Sequence, residues 1–361
     1  MTGYWTKSAI MKSVPFGDNS LSGASAIVKE LKSNLITLFS TKVFRFARPT
    51  DGIVTLSGSE ANELAILLAK RTTKQKMVIA TNLAHSSIGN ACRKLEMKLV
   101  TIDVEPYTWQ VNPEKMLKLL KKYGKQVAMI SATYGTTILG STENFIQDPT
   151  IQSWCAKHGI WLHIDGAYGG SYLNLAHKIT PAWKKVFRAA NSITVDPHKI
   201  IGMMGCGLLL LPHQIDKKIF GKEADYFKGN LTALGTSRTS WGAATAWHTF
   251  ESIKFSGMKR WARSCYQKAN SVGKKLQKVG FTLTSPIQSG VVSVSLSGKK
   301  EYESLAAFMK KCGILASPLI IHGKKYEQRG VRLVINPSPK MQSPKTLNIF
   351  VNALRDWKKT Q

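Results

Sequence analysis

The chain has 361 residues, 43% of them hydrophobic and 20% charged, which is globular usage and excludes a wholly disordered or collagen-like chain. Its 51 Lys and Arg against 21 Asp and Glu leave a formal net charge of +30. The basic residues are spread from Lys7 to Lys359 with no run longer than two, and Lys outnumbers Arg by 40 to 11, so the charge reads as a solvated lysine-rich surface and argues against nucleic acid as the main partner.

The first 48 residues are amphipathic and weakly defined, with one helix expected over 26–39. From 52 to 212, short apolar runs alternate with amphipathic stretches. Strands are expected at 53–56, 77–80, 99–102, 127–130, 160–164, 192–195 and 207–211. Residues 60–71 place Ala61, Leu64, Ala65 and Leu68 on one helical face. Residues 113–123 open with Pro113 at a first helical turn and carry Met116, Leu117 and Leu120. Repeated strand–helix units imply an α/β fold with a mainly parallel seven-stranded sheet covered by helices. From 241 the pattern turns helical, over 241–255 and 258–279. Strands near 281–284, 291–296 and 331–335 follow, with helices around 302–312 and 343–358. This second region reads as a smaller α+β domain, and the expected division is 1–48, 49–255 and 256–361.

No apolar run reaches the roughly 18 residues of a membrane span, and the start lacks the apolar stretch of a secretory signal. The five cysteines (Cys92, Cys155, Cys206, Cys265, Cys312) contain no CxxC pair, so neither a disulfide framework nor a metal site is expected, and a cytoplasmic location is.

Ligands of such sheets bind outside the carboxyl ends of the strands. The first strand runs into Ser57-Gly58-Ser59-Glu60-Ala61-Asn62, a small-residue turn that suits either a phosphate or a plain serine cap. The second is followed by His85-Ser86-Ser87, the fourth by Gly135-Thr136-Thr137. The fifth ends in His163-Ile164-Asp165-Gly166-Ala167-Tyr168-Gly169-Gly170, where a buried acid needs a cation, an N–H donor or a helix cap. The sixth ends in Asp196-Pro197-His198-Lys199. A lysine beside a buried strand end has its ammonium form disfavoured, which suits an imine-forming amine.

The order and spacing of these five motifs resemble the pyridoxal-phosphate-dependent group II amino-acid decarboxylases of fold type I. That family includes glutamate and aromatic-amino-acid decarboxylases, archaeal tyrosine/aspartate decarboxylases and sphingosine-phosphate lyases. The likeness runs over about residues 20–350, with 55–212 as its specific core. It implies pyridoxal 5'-phosphate as cofactor, joined to Lys199 as a Schiff base, with Asp165 paired to the pyridine nitrogen. His85 would stack on one ring face and Ala167 pack on the other. Gly58 and Ser59 would hold the phosphate, with His198 near it, Thr137 near the ring substituents and Ser86 as a further cofactor contact. Gly330-Val331-Arg332 is similar to a small-domain strand whose arginine takes the substrate α-carboxylate. The implied reaction is decarboxylation of an L-amino acid to an amine and CO2, in a homodimer with the cofactor at the subunit interface. The alternative is carbon–carbon cleavage of a phosphorylated amino alcohol to an aldehyde.

Two departures stand out. Only 56 residues precede Ser57, fewer than in many relatives, so the dimer contacts at this end are expected to be smaller or different. The segment 224–235 is shorter than the mobile loop of aromatic-amino-acid decarboxylases, and Tyr226 does not fall in the place of that loop's tyrosine.

Overall fold

The computed structural model describes residues 26–214, 219, 241–314 and 317–361. The expectations for the 224–235 segment and Tyr226 lie outside these residues. Helix α1 (Ala26–Thr37) ends in a π-helical turn (Leu38–Val43), so the helix expected to reach 39 stops at Thr37. The strands and helices then alternate. They are β1 (Asp51–Thr55), α2 (Gly58–Thr73), β2 (Met77–Thr81), α3 (Ser86–Lys94), β3 (Lys98–Ile102), α4 (Pro113–Tyr123), β4 (Val127–Thr133) and α5 (Pro149–His158), followed by β5 (Trp161–Asp165), α6 (Gly169–Ala176), α7 (Pro181–Ala189), β6 (Ser192–Val195) and β7 (Gly207–Leu211). Helix starts share one local grammar. Asn112, Asp148 and Thr180 each accept a backbone N–H at the start of α4, α5 and α7, and a proline follows each cap. The proline lacks the N–H that would have no partner there.

The seven strands form one sheet in the order β1-β7-β6-β5-β4-β2-β3. β3, β2, β4, β5 and β6 pair in parallel, while β7 is antiparallel to both β6 and β1. Six strands therefore end at one edge, where β7 begins. The five inner strands are buried along their whole length, as helices on both faces require. Their alternate residues feed two cores. Val78, Met129 and Leu209 pack with Leu64 and Leu68 of α2, while Ile79, Ile130 and Leu208 join the larger core on the other face.

Helix α8 (Trp241–Lys278) is broken at Lys254, whose φ of 57° and ψ of 178° interrupt it, close to the gap expected between 255 and 258. We propose the division into a large and a small domain at this break. Beyond it, β8 (Val291–Leu296), α9 (Lys299–Lys311), β9 (Ser317–His322), β10 (Glu327–Val334), α10 (Pro339–Gln342) and α11 (Pro344–Lys358) build a three-stranded antiparallel sheet in the order β8-β10-β9 with its helices. The strand expected near 281–284 is reduced to a single bridge, Leu283 to Val294, because Pro286 follows and cannot donate to a ladder. β9 was not foreseen, since Pro318 at its second residue masks the strand pattern.

The turn after β4 meets the start of α6 backbone to backbone. Gly135 has a φ of 89°, and a Cβ on Gly169 would fall on the Tyr134 carbonyl. Tyr134 N–H donates to the Asp165 carbonyl at 2.9 Å, so this contact locks the ends of β4 and β5 together. Gly169→Ala is expected to cost about 1–3 kcal/mol in urea denaturation. Gly298→Ala, where the added methyl meets open space and only the N-cap preference of α9 is lost, is expected to cost less than about 1 kcal/mol.

Candidate active site

The cleft lies at the edge where the six strands end. It encloses about 320 Å³, its open mouth included. At the end of β1, Ser57 caps α2. Its Oγ accepts the Glu60 N–H at 3.3 Å, and Glu60 Oε2 in return accepts the Leu56 N–H at 2.7 Å. The serine hydroxyl is thus spent on the cap. The first N–H groups of the helix, at Gly58 and Ser59, have no partner within the helix and mark its electropositive end. Gly58 cannot be larger. A Cβ there would sit 2.8 and 2.9 Å from the Asp196 carboxylate oxygens and 3.0 Å from Ala167 Cβ.

Asp165, the last residue of β5, is buried. Its Oδ2 accepts Asn62 Nδ2–H at 2.9 Å and its Oδ1 accepts the Ala167 N–H at 3.1 Å. Asp196, just after β6, is buried too; its Oδ2 meets Lys199 Nζ at 3.0 Å, and its Oδ1 has no hydrogen-bond partner among the described residues. Burial raises the Asp196 pKa, while Lys199 and His198 draw it back down. Lys199 is held by its own backbone, its N–H donating to the Asp196 carbonyl and its carbonyl accepting Tyr172 Oη–H at 2.8 Å.

The cleft brings together seven residues expected from the sequence: Gly58, Ser59, His85, Thr137, Asp165, Ala167 and Lys199. Three others lie at its margin. His198 turns inward, its Nδ1–H donating to the Cys206 carbonyl at 2.6 Å with Nε2 3.8 Å from Asp196 Oδ2. Ser86 is exposed at the first turn of α3. Arg332, on β10, crosses from the small sheet to donate through Nη1 to the Thr137 carbonyl; its buried Nε has no partner among the described residues. His85 is not in a free loop, as its sequence context suggests, but is the cap of α3, Nδ1 accepting the Ser87 N–H at 3.2 Å.

Three residues that sequence reasoning passed over belong here. Asp196 stood in the motif beside Lys199 without a role. Asn62 lines the cleft from α2. Glu143, fully buried, accepts Thr81 Oγ1–H through Oε1 and the Thr133 N–H through Oε2 at 2.6 Å, tying the ends of β2 and β4 together. Nothing in its sequence neighbourhood announces this, because its partners lie on two strands it does not belong to.

Two buried groups give opposite pH dependences. Burial lowers His163 from an ordinary 6.5 to about 4, against the pull of Asp165, so between those values only the unfolded chain takes the proton and stability rises with pH. Burial raises Glu143 from 4.5 to about 7, helped by Asp165 and opposed by its hydrogen bonds to Thr81 and Thr133, so the folded chain holds the proton in that window and stability falls with pH. Where the windows overlap, the two slopes offset. In Glu143→Gln the melting temperature is expected to climb from pH 4 to 6.5; in His163→Gln it is expected to drop from pH 4.5 to 7, as measured by thermal melts in buffers of constant ionic strength.

The model of the pyridoxal-dependent decarboxylase conserved domain matches residues 33–297. A probable L-tyrosine/L-aspartate decarboxylase of Methanopyrus kandleri is 27% identical over 301 residues, 80% of this chain and 76% of its own. A histidine decarboxylase of Mesorhizobium japonicum is 24% identical over 232 residues, 64% of this chain and 62% of its own. In fold, the chain superposes on the Lactobacillus brevis glutamate decarboxylase with a TM-score of 0.82 at 16% identity, covering 99% of this chain and 86% of that one. The Burkholderia pseudomallei sphingosine-1-phosphate lyase gives 0.77 at 16% identity, covering 92% and 77%. With a strand-end cleft that places a lysine, two carboxylates and an imidazole around one helix N-terminus, and with the family match running through all of these residues, the chain belongs to the pyridoxal-phosphate-dependent decarboxylase family.

Proposed function

We propose that the protein decarboxylates an L-amino acid to the corresponding amine and CO2, with pyridoxal 5'-phosphate in the cleft. The observation that carries this reading is the placement of the Lys199 amine and the Asp165 carboxylate in one cleft, at the ends of neighbouring strands. The donor set fits the coenzyme. Lys199 would take its aldehyde, and the N-terminus of α2 at Gly58 and Ser59 its phosphate. Asp165 meets only N–H donors, so its carboxylate is ready for a protonated ring nitrogen. His85 and Ala167 would flank the ring, with Thr137, Ser86 and His198 around it.

When bound, the coenzyme supplies an electron sink for a bond broken at Cα. The chain's own residues do the rest. Asp196 Oδ2, 3.0 Å from Lys199 Nζ, is placed to take the ammonium proton and leave a free amine. Arg332 is the proposed site of the α-carboxylate. No carboxylate pairs with it among the described residues, and its buried Nε lacks a partner. Burial lowers its pKa, an effect that Tyr168 partly offsets, so an incoming carboxylate would satisfy a half-buried guanidinium. This favours an amino acid over an amino alcohol, which has no α-carboxylate.

We infer in addition a homodimer whose interface borders the cleft. Met204 and Met203, 84% and 59% exposed, follow Lys199 in the chain, and Trp241 is 47% exposed at the start of α8. The Met203 N–H donates to Thr245 Oγ1, so the methionine loop sits on that helix. Leu56, also exposed, stands at the cleft's other rim beside Ser57. Large apolar side chains exposed on segments next to the cleft residues support a surface covered in the assembly. No helix among the described residues is long and apolar enough to cross a membrane.

With a panel of amino acids, at least one is expected to yield equimolar amine and CO2, and Lys199→Ala to abolish both. Arg332→Leu is expected to raise KM by about 10- to 100-fold, the worth of a charge-assisted hydrogen bond. Aldehyde without CO2 from a phosphorylated amino alcohol would overturn the reading in favour of carbon–carbon cleavage. Analytical ultracentrifugation should give a dimer, and the double variant Met203→Glu, Met204→Glu a monomer; an active monomeric wild type would refute the dimer.

A further inference from the structure

Behind Asp165, between the sheet and α2, lies a line of buried polar side chains that the chemistry proposed above does not touch. It begins at Trp161. An indole nitrogen can only donate, and Trp161 Nε1–H donates to Ser192 Oγ at 2.8 Å. Ser192 Oγ keeps a second lone pair and a hydrogen of its own, so its 2.8 Å contact with His163 Nδ1 suits either direction. His163 is fully buried and burial favours its neutral imidazole, whose single proton is placed by the partner of its other nitrogen. That nitrogen faces Asn62 Oδ1 at 3.1 Å.

The amide of Asn62 is oriented by Asp165. Its two N–H bonds go forward, one to Asp165 Oδ2 and one to Ser87 Oγ, both at 2.9 Å, and its oxygen faces the histidine. A flipped amide would set its oxygen against the Asp165 carboxylate, two acceptors with no hydrogen between them. His163 therefore donates through Nε2, and its Nδ1 accepts the Ser192 hydroxyl hydrogen. Ser87 Oγ, having accepted from Asn62, turns its own hydrogen to His85 Nδ1 at 2.9 Å. That nitrogen also accepts the Ser87 N–H, so the free proton of His85 is on Nε2.

We propose that Asn62 is a positioning residue of the active site: a one-way donor line from Trp161 through Ser192 and His163 holds its side-chain N–H groups on Asp165 and, through Ser87, on His85. One amide thus sets both the carboxylate and the imidazole that the coenzyme ring would meet. The inference rests on the coenzyme reading of the cleft for its purpose, but the orientation of the line does not.

The wild-type protein tests that orientation directly. In full-length protein labelled with ¹⁵N in the imidazoles of its eight histidines, with signals assigned by single His→Gln variants, His163 is expected as the neutral Nε2–H tautomer at pH 7.5, with His85 accepting and not donating at Nδ1. His163 should stay neutral to about pH 5. An Nδ1–H tautomer at His163 would overturn the proposal, and this measurement stands even if the coenzyme fails to bind.

The purpose is tested with Asn62→Asp, which keeps the shape and replaces the N–H donors by an acceptor. The titratable groups facing the new carboxyl are Asp165 and His163 from β5 and His85 from the cap of α3. Asp196 and Glu143 act on it across Asp165. Relative to wild type at the same pH, coenzyme affinity of Asn62→Asp, followed by absorbance titration, is expected to fall at least tenfold at pH 8. It should recover toward wild type at pH 5.5, where the added carboxyl shares a proton with Asp165. Asn62→Ala should lose less and show no such recovery. Equal ratios for the two variants at both pH values would reduce Asn62 to packing and overturn the proposal. If Asn62→Asp does not fold, the tautomers of His163 and His85 decide the case. A wild-type chain that does not bind the coenzyme would sink the coenzyme reading instead.

Discussion

Two carboxylates, Asp165 and Asp196, are buried at the ends of adjacent strands, and the architecture around them is the solution to keeping each one satisfied. A parallel sheet makes such a pair possible, because neighbouring strands end side by side and no hairpin closes over them. It also makes the pair costly, since a buried acid without partners is strongly destabilising. The two acids are treated differently. Asp165 receives neutral N–H donors from α2 and from its own turn. Asp196 receives a cation, Lys199, on one oxygen and is left with the other unpartnered. One carboxylate is thus held by neutral donors on both oxygens and the other by an ion pair on a single oxygen.

The rest of the edge follows from the same constraint. Gly58 is small because the Asp196 carboxylate and Ala167 occupy the space its side chain would need. The start of α2 then comes close to both acids, which puts the positive end of a helix dipole where negative charge gathers. Gly135 and Gly169 let two backbones touch, and that contact draws β4 against β5 at the level of Asp165. Glu143 closes the far side by tying β2 to β4. Packing in these turns is therefore part of the chemistry. The groups that do the work are small, polar and held by backbone.

Much of this was legible before any coordinates. Apolar runs of four to seven residues are strands whichever way they pair, and the polar residues that end them had to lie at one edge of a parallel sheet. Pro113 announced one helix start, and the structure repeats the same cap-then-proline order at Pro149 and Pro181. Other features were hidden for physical reasons. β9 carries a proline near its start. His85 reads as a loop histidine because α3 has only nine residues, and its cap is visible only in three dimensions. Ser57 allowed a cap or a phosphate, and its hydroxyl serves the cap. The contacts of Asn62 with Asp165 and of Arg332 with the Thr137 carbonyl span 103 and 195 residues, and no local pattern encodes a contact of that range.

The amino-acid sequence alone determined the alternation of strands and helices and, through it, the edge at which the strand-end motifs gather; the singling out of Lys199 and Asp165 came from the order of those motifs and the family they resemble. The alternation follows from side-chain periodicity, which the chain carries before it folds. Only the tertiary structure decided which carboxylate meets Lys199, which way the Asn62 amide faces, and that Arg332 crosses from the small sheet to the turn holding Thr137. Hydrogen-bond direction and ion pairing depend on distances between strand ends, and those distances exist only after the sheet has formed.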